Sequence, residues 1–362
     1  MSDGTLHTRL HIRRGTPQDA DACQQLTRQY REWIPFVMRS SLIEAAERGT
    51  LHIAEVDGIF AGFVSFRACQ DRWQTVYEIA VDSAFTGTGV GRNLLYSVPT
   101  PIRLKCPVDN TASNQFYANA GMMLSHVEDA KRPLNVWHMR VLCIHCQGKN
   151  KRVPAWSRAS GMAYGSRQDH KPHDYTFMQD VNFKAYNERP AETWQDYAHK
   201  AALWRPVMAF AADYMHPSQR ETMLEQVAYL RSIGTLRIAV CPKFPGAVAD
   251  IPADCIVAVS LPSGYAGFVP SSDELLGRRV HLLGGTVDDN RNSITRWNVI
   301  SIDTSRAESN VKYGHYFDGG VWVNSAPITK RVHEREGLIV ANGINIRKAL
   351  NEATKYLQAV LL

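Results

Sequence analysis

The chain has no apolar run approaching the ~18 to 20 residues that cross a bilayer. Met1-Ser2-Asp3-Gly4-Thr5 also lacks the charged start and apolar continuation of a secretory leader. No helical membrane span is therefore expected, and the cytoplasm is the expected compartment. Cysteine is sparse. Seven residues, an odd number, are scattered over 362 positions, unlike the even framework of a small disulfide-stapled domain, so reduced thiols are expected. Low complexity is missing too: with 44% hydrophobic, 21% charged and 9% aromatic residues, the composition excludes disordered, collagen-like and fibrous classes.

What the chain does have is length. Single cores stop growing near ~250 residues, so 362 residues point to two domains. The formal charge of +6 is unevenly spread. Residues 1–140 hold 15 Lys and Arg against 14 Asp and Glu, and the remainder holds 26 against 21. The basic excess thus lies in the second part and tilts it toward a polyanionic partner.

From Leu10 to about Val141 short strands alternate with helical signals. His11-Ile12-Arg13 reads as a strand, and Thr16-Pro17 opens a helix running to about Tyr30. Thr50–Val56 and Ile59–Phe66 alternate with period two around Asp57-Gly58, a strong hairpin signal. The strand Val76–Val81 then runs into Thr86-Gly87-Thr88-Gly89-Val90-Gly91-Arg92 and a helix. A glycine-rich turn opening a helix aims free backbone N–H groups and the positive end of the helix dipole at one point, where phosphate oxygens fit. Tight packing alone would also explain three glycines.

A second segment, Asn110-Thr111-Ala112-Ser113-Asn114-Gln115-Phe116-Tyr117 through Gly121-Met122, lies downstream. Together with the glycine turn it resembles the GNAT family of acyl-CoA-dependent N-acyltransferases. Asn110, Ser113, Tyr117, Gly121 and Met122 fall at that family's spacings, although Thr86 stands where the family usually has Arg or Gln. The resemblance covers roughly residues 8–141 and implies a mixed sheet with helices. It implies acetyl-CoA or another acyl-CoA as cofactor, with Thr88, Gly89, Val90, Gly91 and Arg92 on the pyrophosphate and Asn110 on the pantetheine arm. It further implies Tyr117 as proton donor to the departing thiolate, and Glu78 as the group that takes a proton from the acceptor amine, which must be neutral to attack.

Near Leu142–Arg152 the pattern changes, which places the boundary between residues 1–141 and 142–362. Cys143-x-x-Cys146 has no second pair at finger-like spacing, so it reads as the end of a strand rather than a zinc site, and no metal is expected. Eight strand candidates follow, at Leu142–Cys146, Met162–Gly165, Tyr175–Val181, Pro206–Ala211, Leu236–Val240, Cys255–Ser260, Arg279–Leu283 and Val299–Ile302. Several are continuous apolar runs separated by helical patterns. Eight in this span fit a (β/α)₈ barrel, with an open doubly wound sheet as the alternative. The C-terminal stretch reads as a closing strand and helix.

In a barrel the chemistry gathers at the carboxyl ends of the strands. Asp213 and Asp303 are the candidate nucleophile and acid or base, with helix capping the competing role for Asp303. Arg167, Asp180, Lys243, Tyr265, Gly284 and Gly285 are candidate substrate contacts, and Arg278 and Arg279 candidate phosphate contacts. Ala211-Ala212-Asp213-Tyr214, His281–Thr286 and Val299–Asp303 distantly resemble the barrel of tRNA-guanine transglycosylases and their DNA-modifying relatives, without that family's zinc segment. The resemblance implies breaking or exchange of an N-glycosidic bond of a base, in DNA more than RNA. The expectation is thus a two-site base-modification enzyme. Its alternatives are an acetyltransferase of a small-molecule or protein amine with the barrel as recognition module, a DNA glycosylase releasing a modified base, and an acyl-CoA-responsive binding protein without turnover.

Overall fold

The computed structural model describes residues 9–146, 151–170, 176–261, 268–318, 320–324 and 332–352. Its first part is a seven-stranded sheet built from β1 (Leu10–Arg14), β2 (Leu51–Val56), β3 (Ile59–Ala68), β4 (Gln74–Val81), β5 (Ile102–Pro107), β6 (Met123–Glu128) and β7 (Leu134–Met139), in the order β1-β2-β3-β4-β5-β7-β6. The β2–β3 hairpin turns on Asp57 and Gly58, both at positive φ, as the right-handed twist of the flanking strands requires. Helices α1 (Ala20–Thr27), α2 (Arg39–Glu47), α3 (Val90–Ser97) and α4 (Thr111–Asn119) accompany the sheet. Thr16 and Asp19 form a reciprocal capping box at the entry to α1, which is why the chain turns helical there.

All pairs in this sheet are antiparallel except β4 with β5. That parallel pair is joined only at Gln74–Ile102 and Thr75–Arg103. Beyond Thr75 the two strands part, leaving a wedge between Val76–Val81 and the end of β5.

The second part is a closed parallel barrel, so the open-sheet alternative falls away. Its strands are β8 (Leu142–Cys146), β9 (Ala163–Arg167), β10 (Thr176–Asp180), β11 (Met208–Phe210), β12 (Arg237–Val240), β13 (Ile256–Ser260), β14 (Val280–Leu283) and β15 (Val299–Thr304), which follow one another around the ring until β15 pairs with β8. All eight sequence candidates are strands. Helices α5 (Val153–Ser160), α6 (Phe183–Glu188), α7 (Pro190–Trp204), α8 (Arg220–Ser232), α9 (Ala247–Asp250), α10 (Val287–Arg296), α11 (Arg306–Ser309) and α12 (Val332–Glu352) belong to this part, with a hairpin of β16 (His315–Asp318) and β17 (Val321–Asn324) before α12. Cys143-x-x-Cys146 lies within β8, with Cys143 buried. Among the described residues no helix is long and apolar enough to cross a membrane.

The two parts share a core. One buried apolar cluster runs from Val64, Leu94 and Tyr96 of the sheet part into Ile144, Phe177, Met208 and Ile256 inside the barrel. Polar contacts reinforce it at the amino end of the strands: Thr100 Oγ1 donates to the Ile300 carbonyl at 2.5 Å, and Arg237 donates to the Val98 carbonyl at 2.6 Å. On the flank, Arg347 of α12 donates to the carbonyls of Gly121 and Ser160.

Candidate functional site

The wedge between β4 and β5 opens into a cavity of about 600 Å³. Gly87 (φ +80°) and Gly89 (φ +93°) hold the turn before α3 in the left-handed region, which side chains strain to enter. Gly89 is the N-cap of α3, so the first-turn N–H groups of that helix lack intrahelical carbonyls. Glu78, Gly89, Val90, Gly91, Arg92, Asn110 and Tyr117 all line the cavity. Thr88 instead turns its hydroxyl onto the Phe85 carbonyl at 2.6 Å.

The polar groups here are already partly engaged. Glu78 accepts from the Ser65 hydroxyl, and burial raises its pKa above the ordinary value while that hydrogen bond opposes the rise. Tyr117, 8% exposed, has its phenol pushed far up, by burial first and the Cys106 sulfur second. Asn110 caps α4, its Oδ1 accepting from the Ser113 amide at 3.1 Å, which leaves its Nδ2 for another partner. The Arg92 guanidinium is engaged as well, donating to the carbonyls of Asn119 at 2.9 Å and Arg158 at 2.6 Å.

A second cluster occupies the carboxyl ends of the barrel strands. Going around the ring, β15, β8, β9 and β10 end near Asp303, Cys146, Arg167 and Asp180, and Asp213 and Lys243 follow β11 and β12. Asp213 and Lys243 form an ion pair at 3.3 Å. Arg167 pairs with Asp169 at 2.9 Å. Asp303 accepts from the Gly284 amide at 2.7 Å, so its carboxylate is held by the turn after β14 rather than spent on capping a helix. Gly284 and Gly285 both take positive φ, and a Cβ on Gly285 would lie 2.8 Å from the Leu261 side chain.

This crowding separates the carboxyl groups. Asp180 is raised to about 8 by burial and then by the charges of Asp213 and Asp303. Asp303 is raised to about 6 by burial, with the Gly284 amide and the Cys146 thiol opposing. Asp213 is raised by burial, opposed by Lys243. Carboxyls pushed apart in this way can hold and release a proton in one site. Among the described residues no group of three or more His, Cys, Asp or Glu is placed to hold a metal.

Tyr265 lies outside the described residues. Arg278 and Arg279 precede β14 and so sit at the amino end, away from the aspartates. Their guanidiniums are used on the carbonyls of Val248, Ile251, Pro252 and Asp254, which corrects the expectation that they meet phosphates at the mouth. Two residues escaped sequence reasoning. The sequence marks Cys146 only as the end of a strand, and its contact with Asp303 depends on β15 closing onto β8. Arg158 lines the first cavity from the barrel side, and nothing in its local sequence announces this.

Residues 18–122 match the acetyltransferase (GNAT) family model, and the first part is a GNAT acetyltransferase domain. Among solved structures the chain is similar to Ard1 from Thermoplasma volcanium, at 17% identity and a TM-score of 0.33, over 37% of this chain and 98% of that one. It is similar to the diaminobutyrate acetyltransferase EctA from Paenibacillus lautus, solved with L-2,4-diaminobutyric acid and coenzyme A, at 18% identity and a TM-score of 0.31, over 36% and 95%. It is also similar to yncA from Salmonella typhimurium, solved with acetyl-CoA, at 15% identity and a TM-score of 0.30, over 36% and 93%. No curated protein matches the chain. Residues 158–349 match the model of a family of unknown function, DUF6610, and since that is more than half of the chain, the protein belongs to this family.

Proposed function

We propose that the protein is a two-site enzyme of nucleic-acid base modification, divided at residues 1–141 and 142–362. In this reading the first site transfers an acyl group from acyl-CoA to an amine, and the second breaks or exchanges an N-glycosidic bond of a base in DNA. The observation that carries the first half is the convergence of Glu78, Tyr117, Asn110 and the Gly89–Arg92 turn on one cavity of about 600 Å³. That cavity fits the group: the glycine turn offers backbone donors for a pyrophosphate, and the parted strands β4 and β5 leave unpaired backbone beside an extended arm. When bound, acyl-CoA supplies a thioester-activated acyl group. Glu78, its pKa raised by burial, takes the proton that an amine must lose to attack. Tyr117 keeps its phenolic proton far above neutral pH and holds it at the cavity wall for the departing sulfur.

At the barrel mouth, Asp303 is the candidate nucleophile for the anomeric carbon. Its carboxylate oxygen forms the bond to that carbon as the carbon–nitrogen bond to the base breaks. In this reading Asp180, its carboxyl raised to about 8 by burial, delivers the proton the leaving base needs, and Asp213 with Lys243 balances the local charge. The basic excess of residues 141–362 supports a polyanionic substrate. Arg167, Gly284 and Gly285 surround the same rim as substrate contacts, and Tyr265 remains a candidate for stacking the base.

Mass spectrometry of nucleosides from DNA and RNA incubated with the protein, with and without acetyl-CoA, tests both halves. The expected result is an altered or missing deoxynucleoside that Asp303→Asn abolishes, and an acetyl-CoA-dependent mass gain that Glu78→Gln lowers by roughly 100-fold or more in rate. Acetylation of small or protein amines with nucleosides unchanged would leave the transferase alone and make the barrel a recognition module.

A further inference from the structure

The cofactor cavity of the first domain is walled in part by the second. Arg158 belongs to α5 of the barrel, yet it lines the cavity beside Gly87, Gly89 and Arg92. Its guanidinium donates to the Gly87 carbonyl, which fixes a cation of the barrel onto the glycine turn of the acyltransferase. The contact is reciprocal, because Arg92 of the turn donates to the Arg158 carbonyl at 2.6 Å and to the Asn119 carbonyl at 2.9 Å. Arg92 lines the same cavity, with its guanidinium committed to those two carbonyls. Lys105, on another wall of the cavity, is ion-paired with Glu128 at 2.6 Å. Thr86 puts no charge at the start of the turn. A phosphate ester placed on the turn would need a cation there, and the barrel supplies one.

Resting on the acyl-CoA reading of this cavity, we propose that Arg158 is a phosphate-binding residue for the acyl-CoA, delivered in cis by the barrel domain, so that the cofactor site is complete only when the two domains are docked. An arginine suits the task because its planar guanidinium forks toward phosphate oxygens in a way that lysine matches less well, and carries a charge that a neutral donor lacks. Docking and cofactor affinity then depend on each other: whatever holds α5 against the turn raises affinity for the phosphate end, and the bound phosphate holds α5 in place.

Isothermal titration of the full-length protein with acetyl-CoA and with acetyl-pantetheine, which lacks phosphates, tests this on the wild type, Arg158→Met and Arg158→Lys. Arg158 is exposed on α5, so the variants should fold, and an unchanged thermal midpoint without ligand verifies it. The expected result is roughly ten-fold weaker acetyl-CoA binding by Arg158→Met at low salt, partial recovery in Arg158→Lys, and unchanged acetyl-pantetheine binding. Equal acetyl-CoA affinity in wild type and Arg158→Met would overturn the assignment. Equal weakening of both ligands would overturn it as well, since it would mean that Arg158 only shapes the turn. A wild type that binds no acetyl-CoA would sink the acyl-CoA reading itself and this inference with it.

Discussion

Asp180 ends β10 between the charges of Asp213 and Asp303, and burial with those charges lifts its pKa to about 8. An unfolded chain ionises the same carboxyl near pH ~4. The folded state therefore binds a proton that the unfolded state releases over this window. The contribution of Asp180 to stability is present in full below about pH 4 and is lost as pH rises through about 8. Asp303, raised to about 6, acts in the same direction over a narrower window. Asp180→Asn removes the ionisable group while keeping its size. It should raise Tm by several degrees at pH 8, with the gain shrinking toward pH 4. Thermal melts across that range check this, and a difference that does not vary with pH would show that the carboxyl is not held protonated. At the same scale, Asp213 and Asp303 were recognisable as residues after strands, whereas the proton-holding role of Asp180 depends on neighbours contributed by other strands.

Two helix ends carry much of the geometry between the domains. Gly121, after α4, and Gly161, after α5, meet back to back at φ +87° and +70°, and a Cβ on Gly121 would lie 2.3 Å from the Gly161 carbonyl oxygen. Arg347 binds the Gly121 carbonyl across the same junction. Gly121→Ala should therefore cost about 2 to 4 kcal/mol through clash and backbone strain combined, and it should loosen α5 from the glycine turn. Denaturant unfolding measures the first effect. A variant as stable as the wild type would mean that the two helix ends do not need this approach. The parted ends of β4 and β5 are decisive in the same way: each strand was legible from its alternation, but their separation after two paired positions was not, because periodicity reports a strand's faces and not its partners.

At the scale of the whole molecule, the sheet and the barrel share one apolar cluster, and Arg237 at the amino end of the barrel donates to the Val98 carbonyl at 2.6 Å. Burial and the nearby Arg279 lower that guanidinium to about 9, so it reaches the interface at a desolvation cost that the carbonyl and the Phe177 ring, 5.6 Å from it, partly offset. Two domains joined by a shared core unfold together. Calorimetry should give a single cooperative transition whose midpoint rises with acetyl-CoA. Two separated transitions, with only the lower one moved by the ligand, would contradict that coupling.

The amino-acid sequence by itself determined the local content: the β2–β3 hairpin at Asp57-Gly58, the turn at Gly87–Gly91, and eight buried strands in the second part. Each is encoded by nearest neighbours, through positive-φ residues, period-two alternation or unbroken apolar runs. Tertiary structure alone decided that the barrel closes, that Asp180, Asp213, Asp303 and Cys146 share one rim, and that Arg158 of the barrel joins Arg92 at the glycine turn. These outcomes pair residues far apart in the chain, and burial, charge proximity and hydrogen-bond partners exist only once such pairs have formed. The odd cysteines and the missing apolar runs bounded the kind of protein this is, but the meeting of two domains at one cavity is a property of packing that no local pattern carries.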